Sequence, residues 1–414
     1  MGMIYIKRVL HPVGHGAFFT EQFYDSDKGE NVLNVVYDCG VMSNQALLEK
    51  EIDDVFALTD RKHVDYLFIS HLDKDHVSGI KYLIDSHYVS DQTTFVMPLY
   101  KDYQLALYEE ITGRGVLSIY EEIKQAPKRR VLFVPVSDGD TFVRRDDMSP
   151  IDMESEENVP GNDAKVNGLD GTLIPKNSFF VWRQIWEYIP FNLHDSVSSD
   201  FFRKVSNHPD LTIQDLDDVK KIFENRCSAN VKNMTPEQIE ANKKFKALKE
   251  IYNSVGNPVA KDRLININSL AVVSQAVNCV MERSPYIIQR MFCEMGYSRD
   301  FYEYWETDGH GTCTYSGDLN LSLDKDFDLF EGKVTAVLRS MPTLQLLQIP
   351  HHGSKTSYNK RFCGGLSGAC FVNFNSGNNI FDKRITYDFF CARKELIPVS
   401  EIGSSRLVQV FLIR

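Results

Sequence analysis

Short apolar runs and helical patterns alternate over the first 135 positions of the chain. Strands are predicted where apolar and polar residues alternate between turn residues, and helices where apolar residues recur every three or four positions. A first strand is predicted before the turn Gly14-His15-Gly16. Further strands are predicted at 17–23, 32–38, 64–70, 94–98 and 130–134, and helices at 45–60, 77–86, 101–111 and 115–124. This order predicts a layered α/β protein.

The pattern changes twice in the middle of the chain. Residues 141–176 are polar, acidic and rich in turn residues, so we predict a long exposed loop or a partly disordered segment there. Residues 177–262 begin with a strand-like stretch and continue, from 195, as a charged helical insertion without a lasting heptad repeat. Sheet character returns in the last segment, 263–414, at 264–276, 311–315, 344–349, 370–375 and 406–413. We therefore divide the chain into 1–140, 141–176, 177–262 and 263–414, of which the first and last are halves of one fold.

One aromatic stretch has two interpretations. Residues 179–191 read F-F-V-W-R-Q-I-W-E-Y-I-P-F, and such a run could stack nucleic-acid bases along a groove. Packing in the core is the commoner role of buried aromatic side chains and is the interpretation that we favour.

Composition narrows the class of protein. The 414 residues are 43% hydrophobic and 25% charged, which is ordinary for a globular protein. No apolar run is long enough to cross a membrane, and the first residues are strand-like rather than signal-like, so a cytoplasmic protein without a membrane partner is expected. The eight cysteines contain no C-x-x-C pair, which disfavours a zinc ribbon. The net charge of −11 argues against a surface that binds nucleic acid everywhere, but it allows a local basic track.

The strongest chemical signal follows the predicted strand 64–70. The segment S-H-L-D-K-D-H contains His71, Asp73, Asp75 and His76, which are four potential metal ligands within six positions. Carboxylates and neutral imidazoles are the ligands that zinc and related divalent ions use in proteins. A chance cluster on a solvated loop is the alternative, and the partners found downstream argue against it.

Two further segments end predicted strands in the same way. Y-S-G-D places Asp318 after a glycine, although an aspartate alone could equally be a turn residue or a helix cap. I-P-H-H-G-S places the adjacent histidines His351 and His352 at a strand end, where core packing would not explain them. The three segments together predict a metal site.

The ordered motifs D-C-G, S-H-L-D-K-D-H-V-S-G, S-G-D and P-H-H-G-S resemble those of the metallo-β-lactamase superfamily. They look most like the branch found as the C-terminal domain of DNA-internalisation competence proteins, which also has aspartate at the position of Asp73. The turn V-G-H-G-A-F and the stretch N-S-L-A-V are similar to this branch as well. The likeness covers about 4–135, 264–320 and 340–413, and it implies an α/β fold of the αββα sandwich type with a helical insertion.

The resemblance implies two divalent ions, zinc or manganese, and a set of ligands. One ion would be held by Asp75, His76 and one of the pair His351 and His352, the other by His71 and Asp73, with Asp318 bridging. Asp75, His76 and Asp318 are therefore also the candidate catalytic residues. We prefer His351 to His352, because it lies nearer the strand end. Asp38, in D-C-G, would support the metal loop from behind.

Two departures from this family pattern affect the site. The chain has no T-P-G-H segment, so a third histidine used elsewhere in the superfamily is missing. After the segment Asn378-Asn379, Lys383 and Arg384 stand where the branch usually has a histidine. These two cations, with Ser354, are candidate substrate-binding residues, although ordinary surface charge is the commoner explanation for both cations.

Three functions are compatible with this sequence. A phosphodiesterase, and specifically a nuclease using metal-activated water, suits a two-metal site rich in carboxylates. A hydrolase of a small molecule, such as an ester, lactone or cyclic nucleotide, would use the same ions and is favoured modestly by the acidic net charge. A weakly catalytic subunit that binds a protein partner through the helical insertion, 195–262, is the third hypothesis.

Overall fold

Two mixed β-sheets form the centre of the fold. The structure, a computed structural model, describes residues 3–413 apart from positions 58, 114 and 128 and the segments 137–141, 156–158, 194–195, 227–233, 256–268, 278–310, 340–343 and 377–380. In spatial order, the first sheet consists of β17 (Leu407–Ile413), β1 (Ile4–Leu10), β2 (Gly16–Asp25), β3 (Glu30–Val41), β4 (Val64–Phe68), β5 (Val89–Pro98), β6 (Arg130–Val134), β9 (Leu169–Leu173) and β8 (Asn162–Val166).

Among the described residues, the second sheet contains eight strands. In spatial order they are β16 (Glu395–Val399), β15 (Ser367–Asn373), β14 (Leu344–Gln348), β13 (Cys313–Tyr315), β12 (Ala271–Ala276), β11 (Trp186–Phe191), β10 (Ser178–Trp182) and β7 (Ser149–Asp152). Within the predicted strand 264–276, the observed strand begins at Ala271, Ser269 and Leu270 precede it, and residues 264–268 lie outside the described residues. The α/β class predicted from the sequence is confirmed.

Helices flank both sheets. They are α1 (Gln45–Ala57), α2 (Lys74–Val77), α3 (Ile80–Asp85), α4 (Asp102–Thr112), α5 (Val116–Gln125), α6 (Ser196–Ser206), α7 (Gln214–Asp217), α8 (Val219–Glu224), α9 (Pro236–Ser254), α10 (Asp324–Val337) and α11 (Arg384–Ala392). Among the residues that the structure describes, no helix has both the length and the apolar character needed to cross a lipid bilayer.

Three apolar layers hold these elements together. The inner faces of the two sheets pack against each other through residues such as Phe68, Trp182 and Tyr315. The outer face of the first sheet shares one apolar cluster with α1 to α9, in which α7 and α8 contact α4, and the outer face of the second sheet shares another with α10 and α11. The order of layers is thus helices, sheet, sheet, helices.

The aromatic stretch 179–191 belongs to this core. Phe180, Trp182 and Tyr188 are each at most 1% exposed and lie in the layer between the sheets. The prediction of core packing is confirmed for these side chains, which are therefore not available to stack nucleic-acid bases.

The structure contradicts one prediction about the middle of the chain, the loop at 141–176, and agrees with the helical character predicted for 195–262. The predicted loop 141–176 contains β7, β8 and β9, of which β9 pairs with β6 and β7 with β10. These strands escape a search for apolar alternation because they are short and polar; four of the five residues of β8 are exposed or half-buried. Helices α6 to α9, predicted as an insertion, bury Phe201, Leu216 and Leu248 in the apolar layer that also contains α4 and α5.

The topology brings the predicted ligand segments to one edge. Strands β3, β4 and β5 are mutually parallel, and so are β13, β14 and β15. The segments after β4, β13 and β14 follow the carboxyl ends of their strands. At this edge the amide of Leu270 donates a 2.8 Å hydrogen bond to the carbonyl of Ser70, which joins the two sheets.

Candidate metal centre

Asp38 fixes the loop that follows β4. Its Oδ1 accepts a 2.7 Å hydrogen bond from the backbone amide of Ser70, and its Oδ2 accepts one of 2.7 Å from the Ser70 hydroxyl. Nδ1 of His76 lies 2.8 Å from the same Oδ2. When Nδ1–H of His76 donates to Asp38, the ring presents Nε2 to the space between the loops. The family resemblance implies that Asp38 supports the metal loop from behind, and the structure places its carboxylate in contact with that loop.

The S-G-D turn after β13 packs directly on this loop. Gly317 has φ +52°, and a Cβ there would lie 2.5 Å from Ser269 Oγ and 2.7 Å from Ser70 Cβ, so only glycine fits. The amide of Asp318 donates to Ser269 Oγ at 3.1 Å, and the amide of His351 donates to the Gly317 carbonyl at 3.1 Å. The three predicted segments therefore meet at one place.

Four side chains from these segments form one buried group. The group consists of Asp75, His76, Asp318 and His352, whose ligand atoms all lie within 4.8 Å of one another. Nε2 of His76 is 3.1 Å from Asp318 Oδ1, and Nε2 of His352 is 3.2 Å from Asp75 Oδ2. Nδ1 of His352 lies 3.1 Å from the carbonyl of Asn373, so it donates there and leaves Nε2 as the ligand atom.

The unsatisfied atoms of the site converge on this group. Among the described residues, Nε2 of His71, His76 and His352 and Oδ1 of Asp318 are buried without a hydrogen-bond partner. Leaving buried polar atoms unsatisfied costs about 1–3 kcal/mol each. Three imidazole nitrogens and carboxylate oxygens close to one another are a donor set suited to divalent cations. The residues present fit a metal ion.

The choice between the adjacent histidines differs from the sequence-based preference. His352 joins the group of four and its side chain is 2% exposed, whereas that of His351 is 21% exposed. His351 instead places Nδ1 2.9 Å from the hydroxyl of Ser357. Both histidines have φ +52°, so the chain curls into a left-handed turn and carries the second ring, rather than the first, inwards.

Asp318 also faces a second set of ligand atoms. Its Oδ2 lies 3.5 Å from Nε2 of His71 and 3.6 Å from Nε2 of His351. Asp73 adds Oδ2 at 3.9 Å from His71 Nε2, and the buried hydroxyl of Tyr108 donates a hydrogen bond to Asp73 Oδ1. The two oxygens of Asp318 thus point towards different imidazoles.

His15 and Tyr108 are two contributors that the sequence did not reveal as site residues. Nε2 of His15 lies 3.2 Å from Asp75 Oδ2, and its ring centroid lies 4.5 Å from that of His352. The only sequence signal was an imidazole in the Gly-His-Gly turn between two apolar strands. Tyr108 gave no signal, because a tyrosine in an amphipathic helix is ordinary.

The charges of the site follow from burial and from the neighbouring groups. Burial raises the pKa of Asp75, but the nearby imidazoles of His15, His352 and His76 outweigh it and hold this pKa well below the usual range. Burial also acts upwards on the pKa of Asp318, and the surrounding imidazoles bring it well below its usual value. Burial lowers the pKa of His76, but the carboxylates of Asp318 and Asp38 raise it by more, so the net shift is upwards. A cation would therefore meet ionised carboxylates and displace a proton from His76.

The remaining predicted residues lie beside the group of four rather than in it. The Ser354 hydroxyl is 2.9 Å from that of Thr356. Lys383 is exposed, and the guanidinium of Arg384 bonds to Asp382 through Nε at 2.8 Å. Asn378 and Asn379, used in comparing this region with the family pattern, lie outside the described residues.

Comparison with known proteins identifies no relative of this chain. No model of a known protein family matches the chain, and a search of curated proteins finds no match.

Proposed function

We propose that the chain is a metal-dependent hydrolase of the metallo-β-lactamase fold that cleaves phosphodiester bonds. The observation that carries this proposal is the convergence of three unsatisfied imidazole nitrogens on the carboxylate of Asp318. A buried arrangement of this kind is costly unless a cation completes it. Its place beyond the carboxyl ends of sheet strands is a usual location for an active site in layered α/β proteins.

The layer order supports the fold proposal. Helices, sheet, sheet, helices is the arrangement that the name αββα describes, and the motifs D-C-G, S-H-L-D-K-D-H, S-G-D and P-H-H-G-S occur in the family's order. Helices α6 to α9 would then be an addition to the outer helical layer.

We propose two metal positions that share Asp318. Asp75, His76 and His352 would hold one ion, and His71, Asp73 and His351 the other, with Oδ1 of Asp318 facing the first set and Oδ2 the second. Zinc and manganese both suit this mixture of nitrogen and oxygen donors. Two divalent ions supply a water of lowered pKa and neutralise charge on the phosphoryl oxygens.

The chain's own residues orient these ligands. Asp38 holds the His76 ring, the carbonyl of Asn373 holds the His352 ring, and Tyr108 holds Asp73. Ligands fixed in this way lose little freedom when a cation binds, so the binding energy is retained. The exposed cations Lys355, Lys383 and Arg384 would favour an anionic phosphodiester over a neutral ester.

A matched pair of variants tests the proposal. His352→Asn removes a ligand, and His87→Asn is its control, because His87 is exposed and shares a positive φ of +60°. Both proteins would be loaded with Zn²⁺ or Mn²⁺, and metal content and cleavage of bis(p-nitrophenyl) phosphate would be measured.

We expect wild type and His87→Asn to bind metal and cleave the diester, and His352→Asn to lose at least 100-fold in turnover. If the wild type binds metal and hydrolyses a lactone or thioester but cleaves no phosphodiester, the chain is a small-molecule hydrolase instead. Absence of metal binding in the wild type would refute the proposal.

A further inference from the structure

The part of the chain around the second histidine segment is basic, in contrast to the whole. Residues 351–394 contain seven lysines and arginines and two aspartates, whereas the complete chain has a net charge of −11. Arg361 is paired with Asp328 and Glu331 of α10, so its charge is compensated locally. Five cations of this region are exposed, namely Lys355, Lys360, Lys383, Arg384 and Arg393. Of these, Lys360 lies 3.6 Å from Asp388, and Arg384 pairs with Asp382.

Two aromatic side chains project from the same region. Tyr387 and Phe390 of α11 are 68% and 81% exposed, the highest values among large apolar side chains in the described part of the chain. The helix packs inwards through Ile385 and Phe389, which are at most 2% exposed. Tyr387 and Phe390 are three residues apart, so they lie on one face, separated by about 4.5 Å along the axis.

This helix begins beside the candidate metal centre. The amide of Asp382 donates a 3.0 Å hydrogen bond to the carbonyl of Gly353, the residue after His352. Phe381 and Ser354 form an isolated β-bridge. A Cβ on Gly353 would lie 3.1 Å from Ile385 Cδ1, so the first turn of α11 packs against the histidine turn. The exposed face of α11 therefore begins next to the candidate metal centre and extends away from it.

We propose that the exposed face of α11, with the five cations around it, binds single-stranded nucleic acid and leads it to the metal centre. We name this surface the α11 track; it consists of Tyr387, Phe390, Lys355, Lys360, Lys383, Arg384 and Arg393. The inference rests on the proposed phosphodiesterase function and identifies its substrate as a polynucleotide.

The combination of aromatic rings and cations in the α11 track favours single-stranded nucleic acid as its ligand. Exposed aromatic rings beside cations bind unpaired bases by stacking while the cations pair with phosphates. A duplex hides its base faces, so it would use the cations but not Tyr387 and Phe390. A second copy of this acidic chain would use both the cations and the exposed aromatic face, so dimer formation is tested as a separate outcome.

The test measures binding without catalysis. Fluorescence anisotropy of a labelled 20-nucleotide oligo-dT and of a 20-base-pair duplex would be recorded in EDTA, so that cleavage plays no part. The variants are Tyr387→Ala/Phe390→Ala and Lys383→Ala/Arg384→Ala, and Ile239→Ala of α9 is the control because Ile239 is 46% exposed. Far-UV spectra and zinc content would show that each variant is folded.

We expect the aromatic double variant to bind the single strand about 10- to 100-fold more weakly, and the duplex almost as the wild type does. The Lys383→Ala/Arg384→Ala variant should weaken both ligands and reduce the salt dependence of binding. Ile239→Ala should bind both normally.

Three results would overturn the α11 track: no binding of oligo-dT by the wild type, unchanged binding by Tyr387→Ala/Phe390→Ala, or a dimer in solution that this variant abolishes. Oligo-dT binding in a protein that fails to cleave bis(p-nitrophenyl) phosphate would refute the proposed function while leaving the α11 track standing.

Discussion

Oδ2 of Asp38 and Nδ1 of His76 are 2.8 Å apart, and both side chains are completely buried. They are 38 residues apart in the sequence, one in β3 and the other in α2. Asp38 itself has a positive φ of +53°, so the backbone adopts an uncommon conformation to place this carboxylate. This contact decides which nitrogen of His76 is presented to a cation.

We expect Asp38→Asn to weaken zinc binding by about 10- to 100-fold, because the amide is a poorer acceptor for the His76 ring. Competition with a chromophoric chelator measures this affinity. Asp163→Asn is the control, since Asp163 is an exposed residue of β8. Equal zinc affinity in Asp38→Asn and Asp163→Asn would show that Asp38 has no part in the site.

His15 should act through Asp75. Its Nε2 contacts Asp75 Oδ2 from the turn between β1 and β2, outside the group of four. Removing it in His15→Ala should lower the affinity for the first zinc ion by up to about tenfold, whereas His15→Gln, which keeps a donor, should retain most of it. Isothermal titration of both variants checks this. Identical affinities for Ala, Gln and wild type would contradict a positioning role.

Tyr108→Phe should affect the second metal position selectively. The variant removes the hydroxyl that donates to Asp73 and leaves the buried ring in place. We expect the metal content at limiting zinc to fall from about two ions per chain towards one.

The control for this experiment is Tyr120→Phe. The Tyr120 hydroxyl is buried without a hydrogen-bond partner among the described residues, so its removal should leave metal content unchanged. Loss of zinc in both variants, measured by mass spectrometry of the metal, would point to a general packing effect instead.

The ion pair of Arg8 and Glu21, buried in the layer between the two sheets, should make the free energy of unfolding depend on pH. Oε1 of Glu21 accepts a 2.7 Å hydrogen bond from Arg8, and its carboxylate also accepts bonds from Tyr188, Ser274 and Tyr315. Burial raises the pKa of Glu21, but Arg8 and the hydroxyls of Tyr188 and Ser274 lower it more, and the net shift is downwards. The stabilisation is thus present above the unfolded-state pKa and is lost as pH falls towards the folded-state value.

Glu21→Gln should lower the free energy of unfolding by about 3–5 kcal/mol at pH 7, because Arg8 remains buried without a counter-charge. Urea denaturation in EDTA from pH 7 to pH 3 would measure this difference. The gap between wild type and variant should narrow as the solution becomes acidic. A gap that stays constant across this range would show that Glu21 does not titrate differently in the folded state.

The sequence by itself determined the segments of the site and the class of fold. His71, Asp75, His76 and Asp318 each follow an apolar strand within a few residues, and such local order is readable from the pattern of side chains. Strands that end in polar segments place those segments at a sheet edge, so the meeting of the three motifs could be expected from the order of strands and motifs alone.

Only the tertiary structure decided which atoms face one another. The preference for His351 rested on its distance from the strand end, whereas the structure brings the ring of His352, which follows a left-handed turn, into the group of four. His15 and Tyr108 reach the loop from remote elements, and β7 to β9 gain their place from backbone pairing with other strands. Neither backbone pairing between strands nor a contact between side chains remote in the sequence produces a periodic pattern of residues. Many side chains of suitable size fit such positions, so the sequence alone does not identify the partner.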